Sequence, residues 1–197
     1  MKHYLRFILV LLLSTVWCVG GYSQTWVKVT DVNDLEDGDE VTFVNEENQA
    51  ALGIKKAHNF GKVKVTISDN SFKNVAGLTA LTLVKQGDSW LFMLDKMYLY
   101  AASSSNNYLE TTEDKTNSNA KATITISKGV ATIKFQGENK RNIIKYNSSN
   151  SLFSCYGVTS NLKPIQLYKK ASTGTPTTIA FNTDFDATKT YTFTEGV

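Results

Sequence analysis

Three phenylalanines, Phe43, Phe92 and Phe135, stand at the same place in three strand-turn-strand units, spaced 49 and 43 residues apart. Each sits in a short β-rich run and is followed, eight or nine residues on, by the middle of a second run, at Leu52, Tyr100 and Ile144. The last two units align further, with the stretch from Tyr100 to Tyr108 lying against the stretch from Tyr146 to Phe153. From Glu40 onward the chain divides into three groups of four short runs: 41–44, 50–54, 63–67 and 78–84; 89–94, 97–102, 107–110 and 122–127; 130–135, 142–146, 151–156 and 164–168. A repeat of this size cannot bury its own apolar face, so its copies must pack on one another. Three four-stranded repeats predict an all-β chain folded as a β-trefoil-like closed barrel, which also removes most exposed strand edges. A β-sandwich is the alternative, since it too gives many short strands at regular spacing.

Local chemistry agrees with the repeat. Val, Ile, Thr, Phe and Tyr dominate the runs, as a half-buried pleated surface favours, and Asn, Ser, Gly and Asp separate them. No window of eleven residues from Trp26 onward keeps a helical apolar period. Ser127-Lys128-Gly129 between two alternating runs is a hairpin signal. The run from Trp26 to Thr30 falls outside the threefold count and is expected to pair beside Ile165 to Tyr168.

The ends of the chain read differently from its middle. Lys2 and Arg6 precede an apolar stretch, Phe7 to Leu13 with Thr15 to Cys18, that is too short to remain in a bilayer. Gly21 and Ser23 then stand at the −3 and −1 positions of a cleavage site before Gln24, so residues 1–23 are expected to be a secretory signal peptide. Trp17 before Cys18 argues against a lipid anchor. The expectation is a secreted protein (periplasmic, cell-surface or extracellular) with no membrane association once the signal is gone. Residues 24–170 form the all-β domain, 171–178 (Ala-Ser-Thr-Gly-Thr-Pro-Thr-Thr) read as a linker, and 179–197 read as the truncated start of a further segment.

Removal of the signal leaves 19 basic residues against 18 acidic ones, with His58, Cys155 and Arg141 as the sole histidine, cysteine and arginine. One cysteine closes no internal disulfide, and Cys155 is expected to pack as a small apolar side chain. The 145 residues from Trp26 to Lys170 are enough for an ordinary core without covalent staples.

The motif order from Trp90 through Glu110, the hairpin from Ala122 to Gln136, Ile143 to Gly157 and a closing Pro164 to Lys170 resembles an accessory β domain. That domain recurs in secreted multidomain proteins of Bacteroidetes, often beside nuclease or lamin-tail modules. The opening Val29 to Val44 is similar to the entry turn of the same family. The resemblance implies a secreted accessory module, and it transfers no catalytic residue and names no ligand.

The residues themselves point away from catalysis. A lone histidine allows neither a histidine pair for a metal nor a Ser-His-acid set, and His58 lies in a loop by composition. Cys155 has no neighbouring base to make it nucleophilic. The eight acids between Asp31 and Glu47 bring calcium to mind, but Leu35 stands at the third ligand position of an EF-hand-like loop and Asp37-Gly38-Asp39 reads as turn chemistry. No metal site, cofactor or enzymatic activity is expected. With one arginine and a near-zero charge, the small group Lys140, Arg141 and Lys145 makes no phosphate-tracking surface, so nucleic acid is not an expected partner.

Binding residues are sought instead in two polar loops with aromatic flanks. Ser103 to Asn107 lies between Tyr100 and Tyr108, and Asn147 to Ser151 lies between Tyr146 and Tyr156. Tyrosine faces stack on sugar rings, while Asn and Ser supply neutral partners for hydroxyls. Tyr100, Asn106, Asn107, Tyr108, Tyr146, Asn147 and Tyr156 are therefore the candidate ligand residues, for an extracellular glycan or a surface protein. The repeated Gln-x-Trp pattern of ricin-like lectins is absent, with Gln166-Leu167-Tyr168 its nearest approach. The competing reading gives these tyrosines to barrel packing and the loops to ordinary turns, which would leave a structural spacer.

Overall fold

The computed structural model describes residues 24–172, and within them the twelve strands of the threefold repeat close a barrel. The first repeat runs β2 (Glu40–Asn45), β3 (Ala50–Lys55), β4 (Phe60–Lys64) and β6 (Leu81–Gln86). The second is β7 (Ser89–Leu94), β8 (Met97–Ala101), β9 (Leu109–Thr112) and β10 (Ala122–Ser127). The third is β11 (Val130–Phe135), β12 (Ile143–Asn147), β13 (Leu152–Tyr156) and β14 (Gln166–Lys170). Outer strands of each repeat form a six-membered ring, β2–β6–β7–β10–β11–β14, with β14 returning to β2. The join between β11 and β14 is made by an antiparallel bridge, Ala131 to Ile165, with Ala131 N–H donating to the Ile165 carbonyl at 2.9 Å. Inner strands pair as three hairpins, β3–β4, β8–β9 and β12–β13, that cap one end of the ring. This is a β-trefoil.

Alternation of side chains explains the closure. In β10 and β11, Ala122, Ile124, Ala131, Ile133 and Phe135 turn inward, while Thr123, Thr125, Thr132 and Lys134 turn outward. The three repeated phenylalanines meet in that interior, each fully buried, and Phe43 packs edge-to-face on Phe92 with ring centroids 5.2 Å apart at 71°. The cap repeats the threefold logic. Phe60, Leu109 and Phe153 occupy equivalent buried places in its three hairpins, and Phe153 pairs directly with Phe60. Leu109 N–H reaches both the His58 carbonyl and Asn59 Oδ1 at 3.0 Å, tying the second hairpin to the first.

β1 (Thr25–Lys28) pairs with β14 as expected, Trp26 opposite Lys170 and Lys28 opposite Tyr168. Its other edge carries β5 (Ser71–Lys73), a strand that the sequence reading omits. Together they form a flap over the outside of the barrel. A second apolar cluster lies beneath it, made by Trp26, Val44, Ala51, Val65, Phe72 and Tyr168. The flap is why β2 is buried on both faces, against the usual one-faced pattern.

Several strands are displaced by a few residues from expectation: β6 is Leu81–Gln86 rather than 78–84, β9 Leu109–Thr112 rather than 107–110, and β14 Gln166–Lys170 rather than 164–168. The third run of the first repeat is Phe60–Lys64 rather than 63–67, because Gly53 lets β4 approach β3 closely: a Cβ there would lie 2.8 Å from the Lys62 carbonyl carbon. A further difference concerns alignment within the hairpins. Ala101 pairs with Leu109 and Tyr146 with Phe153, so Ala101, not Tyr100, is the counterpart of Tyr146. A slip of one residue moves a strand side chain to the other face. Leu99 and Ala101 therefore fill the interior, and Tyr100 points outward. The proposed signal peptide, all but the first two residues of the linker, and the final segment lie outside the described residues.

Candidate functional site

The seven candidate residues separate into three groups. Tyr146 belongs to none of the surface: it is fully buried, with its ring 4.9 Å from that of Phe153, and is corrected here to a core residue. The reason is its inward register on β12, where an apolar ring fills the barrel end. Its hydroxyl finds no hydrogen-bond partner among the described residues.

Tyr100 and Tyr108 lie on the outward face of the β8–β9 hairpin. Tyr100 sits opposite Glu110, and partial burial followed by the Glu110 charge holds its phenol above the ordinary range. Tyr108 stacks on the His58 ring at 4.2 Å and 16°, and His58 Nδ1 lies 2.8 Å from Glu110 Oε1. One face of Tyr108 is thus already covered by a protein ring. His58, expected as a surface loop residue, is half exposed and holds this tyrosine in place.

The third group forms a hollow. Its wall is Tyr156, whose hydroxyl accepts a hydrogen bond from Asn147 Nδ2 at 3.0 Å, so the two residues of the second loop stand together. Across from it is the first loop. Ser103 Oγ accepts from the N–H groups of Ser105 and Asn106 at 3.2 and 3.0 Å, folding the loop on itself with Asn106 at the exposed tip. Ser104 Oγ donates to Asn139 Oδ1 at 2.9 Å, and Asn107 Oδ1 accepts from Arg141 Nη1. These bonds pin the second repeat's loop to the third repeat. Between them lies an open cavity of about 320 Å³ lined by Ser104, Lys140, Arg141, Tyr156, Gly157, Thr159 and Ser160.

A larger hollow of about 440 Å³ runs along the barrel wall beside Thr123, Lys134 and Gln136. It collects none of the candidate residues, and its one aromatic, Phe135, is committed to the core. The smaller cavity is the better site by content: a largely buried tyrosine in its wall, three hydroxyls and two cations. Ser104 falls within the loop that the sequence singles out. Lys140 and Arg141 were legible as a basic pair, but only the fold brings them to the loop. Thr159 and Ser160 carried no signal.

The acidic stretch is occupied elsewhere. Asp31 caps the 3₁₀ turn Val32–Asp34, Asp37 Oδ1 accepts from Lys85 N–H at 2.8 Å, and Gly38 takes a φ of +88° in the turn. Glu46 joins Lys28 at 2.9 Å and accepts from the Tyr168 hydroxyl at 2.8 Å, while Glu47 pairs with Lys163. Gln166 Oε1 accepts from Glu46 N–H, so the Gln166-Leu167-Tyr168 motif serves to hold a turn. Cys155 is fully buried, and burial raises its thiol far above the ordinary range.

No family model matches the chain, and no curated protein does. Solved structures do. The chain is similar to the BEL β-trefoil in an apo crystal form, at 8% identity with a TM-score of 0.51, over 73% of this chain and 100% of that one. It is also similar to part of the GlcNAcα1-4Gal-releasing endo-β-galactosidase of Clostridium perfringens, at 13% identity and a TM-score of 0.51. That match covers 68% of this chain and 32% of the enzyme, so the chain spans about a third of that protein's length. At such identities the likeness establishes the β-trefoil class and nothing about chemistry.

Proposed function

We propose that this chain is an exported, non-catalytic carbohydrate-binding module, and that its sugar site is the hollow between the Ser103–Asn107 loop and the Tyr156–Ser160 turn. The observation that carries the reading is the content of that hollow. Tyr156 is largely buried, at 7% exposure, and lends the wall of the hollow a small apolar patch rather than an open ring face. The hydroxyls of Thr159 and Ser160 can each donate and accept, as a ring bearing several hydroxyls requires, while Ser104 Oγ, whose proton goes to Asn139, can accept. Hydrogen bonds from Ser104 to Asn139 and from Arg141 to Asn107 hold both walls before any ligand arrives, which lowers the ordering cost of binding. The charged, apolar and small-residue order of residues 1–23 supports export, and the resemblance to secreted accessory domains supports a role beside other modules.

A glycan array probed with the labelled purified protein tests the function. Thr159 is exposed, so Thr159→Trp fills the hollow without entering the core. The expected result is binding to a defined glycan class that this variant loses at an unchanged melting temperature. Silence of the folded protein across the array would reject the reading and leave a structural spacer. Binding undiminished in Thr159→Trp would move the site elsewhere.

A further inference from the structure

Lys140, Arg141 and Lys145 come together around one rim of this hollow. Lys140 and Arg141 line it directly, and Lys145 Nζ donates to the carbonyl of Ser160, another lining residue. The five ion pairs among the described residues involve Lys28, His58, Lys163, Lys169 and Lys170, and none involves these three cations. No carboxylate lines the cavity. Four lysines elsewhere pair with carboxylates, Lys28 with Glu46, Lys163 with Glu47, Lys169 with Asp39 and Lys170 with Glu40, and other described lysines have no such pair. What sets these three cations apart is that they gather at one concave polar site. Three cations without a counter-charge, gathered at one concave polar site, make a local positive potential there.

From this we infer that the hollow recognises an anionic substituent on its glycan, a sulfate ester or a sugar carboxylate. The inference rests on the carbohydrate reading above and deepens it. Arg141 spends one N–H on Asn107, which orients the guanidinium and leaves its other donors for two oxygens of the anion. Lys140 is exposed and acts as a mobile charge at the mouth. Ser104 Oγ also accepts from Lys140 N–H at 3.3 Å, so the lysine backbone and the loop move as one unit. Ser104, Thr159 and Tyr156 then meet the neutral part of the sugar.

The test is an array carrying matched neutral, sulfated and sialylated forms of the same oligosaccharides. It is read with the wild-type chain, Lys140→Gln and Arg141→Gln. Lys140→Gln guards against misfolding, because its side chain is exposed. The expected result is signal on the charged forms at least about tenfold above the neutral parent, weakening as salt rises from low to physiological strength. Each variant should lose most of that preference while keeping residual binding to the neutral core. Sulfated against sialylated signal decides which anion is the ligand. Equal binding of neutral and charged forms, or a preference that both variants retain, would overturn the inference and leave the carbohydrate reading intact. Silence on every form would overturn both.

Discussion

Tyr146, Tyr168 and Cys155 show how burial decides what a polar side chain contributes. Tyr146 keeps its ring in the barrel and leaves its hydroxyl without a partner among the described residues. An unmatched buried hydroxyl carries a desolvation cost of roughly 1–3 kcal/mol. Tyr146→Phe should therefore be neutral or raise stability by about 1 kcal/mol in urea unfolding; a clear loss would mean that the hydroxyl is satisfied. Tyr168 is different, since its hydroxyl donates to Glu46, and burial followed by that carboxylate holds the phenol well above its ordinary value of 10.0. The folded state keeps this proton to higher pH than the unfolded chain does. Its contribution is complete below about pH 10 and is lost as pH rises through the folded value. Burial moves Cys155 in the same direction from its ordinary 9.0. Alkaline melting curves should fall above this range, less steeply for Tyr168→Phe, and native Cys155 should resist a thiol reagent until the protein unfolds.

At the scale of the element, the flap of β1 and β5 is held by its own core and not by strand pairing alone. Trp26 is fully buried, stacks near Phe72 with centroids 6.3 Å apart, and donates Nε1–H to Asn74 Oδ1 at 3.1 Å. Trp26→Ala should cost about 3–5 kcal/mol in denaturant unfolding. A cost below about 1 kcal/mol, the size of a surface substitution, would show the flap to be dispensable. The β10–β11 hairpin was readable because Lys128 and Gly129, at φ of +51° and +76°, make the two-residue turn that such a pair favours. The β5 strand was not readable, because it is three residues long and its turn, Asp69-Asn70, lies in a stretch rich in polar residues. The misplacement of Tyr100 has the same kind of cause. In β8 and β12, the equivalent strands of successive repeats, a tyrosine follows another residue at Leu99-Tyr100 and Lys145-Tyr146. Only one of each pair can face inward, and with Leu99 and Tyr100 both apolar, composition does not choose in β8. The candidate residues divided accordingly: Asn107, Asn147 and Tyr156 lie at or beside the proposed hollow, whereas Tyr146 went to the core.

At the scale of the molecule, the threefold repeat was legible because each repeat must supply the same inward residues to one barrel. Phe43, Phe92 and Phe135 fill equivalent places at full burial, so their replacement by alanine should be comparably costly, about 3–5 kcal/mol each. The candidate site was less legible because it belongs to no single repeat. It forms where a loop of the second meets a turn and two cations of the third, across 34 residues between Asn107 and Arg141. Only closure of the ring brings them together. Amide chemical-shift mapping of the isotope-labelled protein, titrated with its strongest array ligand, tests that convergence most directly. Perturbations should concentrate at Ser103–Asn107, Lys140–Arg141 and Gly157–Ser160, with little change on the Tyr98–Tyr100 face of β8. Shifts centred on that face, or on the flap, with the hollow silent, would contradict the account.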